Sequence, residues 1–368
     1  MPHVHASSRD LLRCRRNGAP RLHGISETMS PHDLEITEPG ASGGIGLHAS
    51  KETRRDMSDV APPDVSVIVV THNNESLIVG CLRAIHAGIV RNSYEVIVVD
   101  NDSTDGTLAA IPDDLKPWRV IALEQNIGFA QANNAGIEVC RGRLVALVNS
   151  DAFPDPGSID RLVEAIDKLP HAGIVGARLR YPSGRPQPSV GRFPSLTGGL
   201  WVALFLHRMP LSARLNIGVC AHPSLYRARR RVDWVTAAFC VARREVGYLP
   251  AGGFMYGEDI EWALACSQAQ LQVWLEPAAT AVHIGRASVD QSQSPGFAQE
   301  RRAQFELEWF ARRGLLVQLA ARGVLVVHAL LRLILYGGLA ALRGRRDGHM
   351  GEYTALLRAV LGRRPSGM

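Results

Sequence analysis

From Val65 the chain reads VSVIVVTHN, a β-branched run without polar alternation, which predicts a strand covered on both faces. ESLIVGCLRAIHAG follows at helical spacing, with Leu77, Cys81, Leu82 and Ile85 on one face. YEVIVVDNDSTDGT supplies a second buried strand that ends at Asp100 in a turn-rich cluster, and a further helix is expected from Thr107 to Ile111. WRVIALEQN predicts a third strand, GFAQANNAGIEVC a helix and GRLVALVNSD a fourth strand. This alternation predicts an α/β fold built on a Rossmann-like, mostly parallel sheet flanked by helices, with right-handed crossovers. Ligands of such sheets bind outside the carboxyl ends of the strands. Thr71, Asp100 and Asp151 all fall at such ends.

Past Pro156, SIDRLVEAIDKL reads as a helix, and the polar, Pro-rich YPSGRPQPSVGRFPS reads as a mobile or substrate-covering loop. VDWVTAAFCVARREV resumes strand and helix character, GGFMYGEDIEWALACSQAQ begins a helix behind paired acids, and LQVWLEPAATAVHIGRAS closes the region. The remainder reads as helices with arginines at intervals. Residues 1–64 hold many Gly, Pro, Ser, His and charged residues with no sustained period, and are expected to be a disordered extension. Met57 is an alternative start, because translation from it loses no predicted element.

A hydrophobic fraction of 46% over 368 residues excludes disorder throughout. The net charge of +6 comes largely from arginines near the two ends. No interleaving of aromatic and basic residues suggests stacked bases, so an anionic membrane surface is the expected partner and nucleic acid is not. The six cysteines show no CxxC or Cys/His spacing, which favours reduced, buried thiols. Residues 1–60 lack the apolar core of a secretory signal, so the expected compartment is cytoplasmic.

Residues 315–342, LLVQLAARGVLVVHALLRLILYGGLAAL, are long enough to tempt a transmembrane assignment. Arg322, His328 and Arg332 interrupt the run, and a charge near the bilayer centre costs about 2.5–3.5 kcal/mol on insertion scales. An interfacial helix or helix pair fits better, flanked by Arg312, Arg313, Arg343, Arg345 and Arg346. The alternative is a helix pair packed on the preceding domain.

Four constellations carry candidate chemistry, each with a purely structural alternative. Asp100, Asn101 and Asp102 can accept hydrogen bonds from a base or ribose, or form an Asx-rich turn that caps the next element. Asp151 can hold a hard divalent cation on a diphosphate, or cap the turn before Pro154. Glu258 and Asp259 open an amphipathic helix, where acids suit the macrodipole, yet a base facing a cleft also belongs on such a rigid element. His283, at the end of an apolar strand and near Arg286, is either a metal ligand or a structural histidine. No GxGxxG follows the first strand, which argues against a Rossmann-type nucleotide-binding regulator.

Taken in order, VSVIVVTHNN, VIVVDNDSTDGT, NIGFAQANNAGI, GRLVALVNSDAFP, VDWVTAAFCVARREV, GGFMYGEDIEWAL and VHIGRAS resemble the family 2 glycosyltransferases, in particular the rhamnosyltransferase-like branch. The resemblance covers roughly residues 65–290. It implies a GT-A catalytic domain over 65–300, with a nucleotide-sugar half at 65–156, an acceptor half at 157–300, and a helical, membrane-associating region at 301–368. By the same resemblance Thr71, His72, Asn73, Asn101, Gly128, Asn134 and Ser150 line the donor pocket and Asp100 meets the base. Asp151 closes a DxD-like motif, here Asn149-Ser150-Asp151, and with His283 would hold Mg²⁺ or Mn²⁺, Arg286 assisting the phosphates. Asp259 falls at the position of the catalytic base with Glu258 beside it, and Trp234, Thr236 and Ala237 lie on the acceptor side.

The activity so implied is inverting transfer of a sugar, rhamnose from dTDP-rhamnose first, to a bacterial cell-surface glycan or polyprenyl-linked acceptor at the inner face of the plasma membrane. A UDP-hexose or UDP-N-acetylhexosamine donor, or a catalytically silent glycan-binding relative, are the alternatives. Three departures from the family pattern stand out: Asn149 in place of the first acid, Ala237 where relatives usually carry Gly, and a shortened, rearranged REVGYLPAGGFMYGED.

Overall fold

The structure is a computed structural model and describes residues 61–115, 117, 119–208, 223–250, 257–285, 296–343 and 349–362. Residues 1–60 of the extension predicted over 1–64, which include Cys14 and the alternative start at Met57, and also Cys220 and Arg286, lie outside the described residues.

The chain forms β1 (Val65–Thr71), α1 (Glu75–Gly88), β2 (Tyr94–Asp100), β3 (Arg119–Ala122), α2 (Phe129–Val139), β4 (Leu144–Asn149), β5 (Ala152–Pro154), α3 (Ser158–Lys168) and β6 (Ala172–Arg180). There follow β7 (Pro186–Gln187), β8 (Val190–Gly191), α4 (Leu196–Ala203), β9 (Arg230–Val232), β10 (Trp234–Val235) and β11 (Phe239–Arg243). Last come α5 (Glu258–Gln268), β12 (Gln272–His283), α6 (Phe297–Ala311), α7 (Leu315–Arg343) and α8 (His349–Val360).

One sheet runs β3-β2-β1-β4-β11-β6-β12-β5, with β7 on β6 and β9 on β12, and β10 pairs separately with β8. The first four strands in this order are parallel, as expected. Beyond β4 the sheet becomes mixed, because β11 runs antiparallel to both β4 and β6 while β12 runs parallel to β6. The α/β class with C-terminal helices is the one the resemblance implies.

The uninterrupted apolar strands follow from burial of both faces. In β1, β2 and β4 the period of two sends Val65, Val67, Val69, Val96, Val98, Leu144, Ala146 and Val148 into one core, against α1 and α3. Ile68, Ile97, Val99, Val145 and Leu147 enter a second core with residues of α2 and α5. Gly136 sets the close approach of α2 to β1, since a Cβ there would stand 2.6 Å from Ile68 Cγ2.

Several expectations change in detail. In α1 the buried stripe is Ile78, Cys81, Leu82 and Ile85, and Leu77 lies one position off it. No helix forms at Thr107 to Ile111. The backbone makes a turn, with Ala110 N bonded to Gly106 O at 2.9 Å, and Pro112 disfavours helical geometry just before it. The Pro-rich stretch is built into the fold rather than draped over it: it contains β7 and β8, and Gln187 and Ser189 are buried. VARREV ends in a short 3₁₀ turn at Arg244–Val246. The C-terminal apolar run is one continuous helix.

Candidate functional site

The register places the carboxyl ends of the parallel strands level with one another. Thr71 pairs with Asp100 and Val70 with Asn149. The strand order reverses between β1 and β4, and such a switch point opens a crevice at the carboxyl ends.

Around that crevice the amide and hydroxyl side chains are interlocked. The His72 ring nitrogen Nδ1 donates to Asn101 O at 2.9 Å. Asn73 adopts a left-handed φ of 52°, donates from its backbone N–H to Ser103 Oγ at 2.9 Å and accepts on its Oδ1 from Thr104 N at 2.8 Å. Asn74 donates to His72 O and to Ser150 Oγ, both at 3.0 Å, and so ties the end of β1 to the turn after β4. Thr71 is buried. Asp100 accepts from Ser103 Oγ at 2.5 Å, the Asx-type turn weighed from the sequence, and Asn101 reaches Asn126 and Ile127 N at 2.9 and 3.0 Å ahead of Gly128, the N-cap of α2. Thr71, His72, Asn73, Asp100, Asn101, Gly128 and Ser150 thus belong to one linked set. Asn134 makes its hydrogen bonds elsewhere: its Nδ2 donates to Leu249 O and its Oδ1 accepts from Leu249 N, both at 2.8 Å, a tie between α2 and the segment after β11.

β4 ends at Asn149, and Asp151 lies in the turn that leads to β5. Its side chain is 4% exposed, and its Oδ1 stands 3.2 Å from His283 Nε2. Gly285 N donates to Oδ2, and Ile284 N to the Asp151 carbonyl, each at 3.0 Å. His283 Nδ1 lies 3.0 Å from Gln187 Oε1. With that amide oxygen accepting, Nδ1 carries the proton, and a neutral ring turns its Nε2 lone pair on Asp151 Oδ1. A proton or a divalent cation between the two atoms relieves the opposition. Adjacent ligands of an octahedral cation with bonds of about 2.1 Å stand about 3 Å apart, so one oxygen and one nitrogen at this spacing suit a metal whose remaining ligands are phosphate and water oxygens. Among the described residues no group of three or more His, Cys, Asp or Glu is placed to hold a metal by itself.

A second candidate carboxylate stands at the start of α5. Asp259 is half-buried, with the Thr236 hydroxyl and the Ala237 N–H placed to favour its charged form. Loss of solvent raises its pKa above the usual carboxylate range, while those two groups and the Arg302 charge hold the rise back. The segment beside Asp259 also adjoins the first site, since Asn149 N donates to Ala238 O at 2.9 Å. Glu258 is buried at the first turn of α5. Trp234 donates from its indole N–H to Arg192 O at 3.0 Å and packs on Gly191. The Ala237 methyl is itself covered by protein, so the departure from Gly sits in the packing.

Two participants have no sequence signal. Gln187 sits in a stretch read as a loop, and only the pairing of β7 with β6 brings it to His283. Arg302 belongs to α6, which reaches α5 because Phe305 packs on Gly257; there φ is +109°, and a Cβ would stand 2.3 Å from the Phe305 ring. A separate concavity lined by Arg143, Leu144, Arg243, Arg244 and Glu245 lies at the amino end of β4 and shares none of these residues.

A mixed α/β sheet with amide, hydroxyl and acidic side chains over the carboxyl ends of its parallel strands, followed by C-terminal helices, is the arrangement of the GT-A fold class. The profile of the family described as Glycosyl transferase family 2 matches residues 66–232. The N-acetylglucosaminyl-diphospho-decaprenol L-rhamnosyltransferase of Mycobacterium tuberculosis is 30% identical over 223 residues, which cover 56% of this chain and 69% of that protein. The succinoglycan biosynthesis protein ExoO of Rhizobium meliloti is 36% identical over 149 residues, 37% of this chain and 40% of that one. A mannosyltransferase of Pyrobaculum calidifontis, solved with GDP-Man and Mn²⁺, aligns at a TM-score of 0.48 and 19% identity over 82% of this chain and 87% of that one. The chain belongs to glycosyltransferase family 2, is rhamnosyltransferase-like, and is a glycosyltransferase.

Proposed function

We propose that this glycosyltransferase inverts the anomeric centre as it moves a sugar, rhamnose from dTDP-rhamnose first among donors, onto a hydroxyl of a lipid-linked precursor of a bacterial cell-surface glycan. One observation supports the reading: both acids lie near the end of β4, Asp151 two residues past Asn149 and beside His283, and Asp259 near Thr236 and Ala237, whose neighbour Ala238 accepts from Asn149 N. A diphosphate leaving group and an attacking hydroxyl need opposite sides of the same anomeric carbon.

The linked set of Thr71, His72, Asn73, Asp100, Asn101, Gly128 and Ser150 would hold the nucleotide. Asp100 and Asn101 would meet the base or ribose, and Arg286 would add charge near the phosphates. Trp234, Thr236 and Ala237 would border the acceptor. Asp259 takes the hydroxyl proton as the new carbon–oxygen bond forms and the bond from the anomeric carbon to the phosphate oxygen breaks, its electrons leaving with the diphosphate. Partial desolvation makes this carboxylate a stronger base than a solvated one. Glu258, buried beside it, would help fix the start of α5. Asp151 and His283 fit a divalent cation, Mg²⁺ or Mn²⁺, which when bound neutralises charge on the departing diphosphate.

The decaprenol-linked acceptor in the relative's name supports a lipid-linked acceptor here, and with it a place at the cytoplasmic face of the plasma membrane. Transfer or hydrolysis measured over a panel of nucleotide sugars with Mn²⁺ or Mg²⁺ tests the donor. Turnover of dTDP-rhamnose above the UDP-sugars is expected, together with loss of metal-dependent donor binding in Asp151→Ala. A preference for a UDP-sugar overturns the donor, and metal-dependent binding unchanged in Asp151→Ala overturns the metal site.

A further inference from the structure

We infer that the outer face of α7 is a membrane-seating surface, which lies in the plane of an anionic bilayer rather than crossing it. This deepens the lipid-linked reading above and names the surface that would serve it.

The distribution of residues around α7 carries the inference. Leu316, Leu319, Ala320, Gly323, Val327, Leu330, Ile334, Gly338, Ala341 and Leu342 are exposed, and Leu316, Ile334 and Leu342 are so by 82%, 72% and 84%. At 100° per residue the first nine of these fall within a sector about 100° wide, with Leu342 about 40° outside it, and at 1.5 Å per residue the stripe is about 38 Å long. It contains no polar side chain.

The residues that argued against lipid from the sequence turn the other way. Gln318, Arg322, His328, Arg332 and Tyr336 fall on the opposite side of the helix. Arg332 is 4% exposed, donates to Val202 O and Ala203 O at 2.9 and 3.2 Å, and stacks on Phe205. His328 lies against Tyr353, and burial, with the charges of Arg332 and His207, lowers its pKa to about 4, so it is neutral at physiological pH.

A crossing orientation fits poorly with what the inner face holds. α7 packs along α4, α6 and α8. Standing α7 upright would draw α6 and α8 into hydrocarbon with Glu300, Arg301, Glu308, Glu352 and Arg358, whereas lying flat leaves them above the surface.

Charge selects an anionic lipid surface as the occupant. Residues 301–368 hold twelve arginines against four acids, more than the whole chain's net +6. Arg312 and Arg313 are exposed just before the stripe, and Arg343, Arg345 and Arg346 follow it in sequence. The seat also lies next to the chemistry proposed above. Val317 and Ala321 of α7 share a cluster with Trp309 and Phe310 of α6 and with Ile260 and Leu264 of α5, the helix that carries Asp259.

The test is co-sedimentation of the purified full chain with vesicles of phosphatidylcholine alone and of phosphatidylcholine with phosphatidylglycerol at about three to one. The expected result is binding to the anionic vesicles that falls about tenfold or more in Leu316→Glu/Leu330→Glu/Ile334→Glu, whose circular dichroism and nucleotide-sugar hydrolysis match the parent. Equal binding by parent and variant, or no binding by the parent, overturns it. So does a dimer that the triple variant dissolves while vesicles go unbound, because a second copy then covers the face. Retention of the vesicle-bound protein after alkaline carbonate extraction overturns the in-plane placement. Binding is read without catalysis, so failure here leaves the donor and base assignments standing, and their failure leaves the seat intact.

Discussion

Glu306 of α6 offers a stability change whose size and sign can both be worked out. Burial raises its pKa from 4.5 to about 7, with the Arg302 charge opposing the rise. Below pH 4.5 the carboxyl is protonated in folded and unfolded chains alike. Between about 4.5 and 7 the folded chain keeps a proton that the unfolded chain has released, so this group's contribution to stability declines as pH rises and levels off above 7. The interval corresponds to about 3 kcal/mol. Glu306→Gln keeps the shape and cannot ionise, so it escapes the loss. Relative to the parent it should gain about 3 kcal/mol between pH 4.5 and 8, or roughly 5 °C in Tm for a domain of this size. Thermal unfolding of both proteins across that range measures the difference, in which every other titrating group cancels. A Tm difference that stays constant with pH would refute the placement of Glu306 in a solvent-poor setting.

Other consequences are as definite. Arg302→Met removes a charge that restrains the raised pKa of Asp259, so the acid limb of the pH–rate profile should move to higher pH; an unmoved limb would detach Arg302 from the site. Gly257→Ala sets a methyl against Phe305 at a left-handed φ and should cost about 2 kcal/mol or more by denaturant melt, with an unchanged midpoint counting against the contact between α5 and α6. Cys81 and Cys240, whose thiols burial pushes far up, and Cys266, pushed up to about 11, should resist aromatic disulfide reagents in the folded protein at pH 8 and react once it is unfolded.

The parts of this fold that the sequence discloses are those governed by burial on both faces. β1, β2 and β4 are apolar throughout because each feeds two cores, and their ends at Thr71, Asp100 and Asn149 could be read almost to the residue. The start of α5 at Glu258 was equally plain, since acids suit a helix N-terminus. What escaped depends on contacts distant in sequence. Gln187 becomes a partner of His283 only through strand pairing, and Arg302 reaches Asp259 only because α6 folds back over Gly257. Thr107 has the cap chemistry of a helix start, yet Pro112 leaves room for a single turn. In α7 composition alone counted Arg332 against lipid. The direction of the side chain, inward onto the carbonyls of α4, reverses its meaning.

In the proposed mechanism Asp259 removes the acceptor proton on a scaffold that binds the donor separately. Steady-state transfer and nucleotide-sugar binding by Asp259→Asn measure it most directly. The expected result is a fall in kcat of about a hundredfold to ten-thousandfold, with donor Kd within about twofold of the parent. Turnover equal to the parent's in a folded Asp259→Asn protein would contradict it.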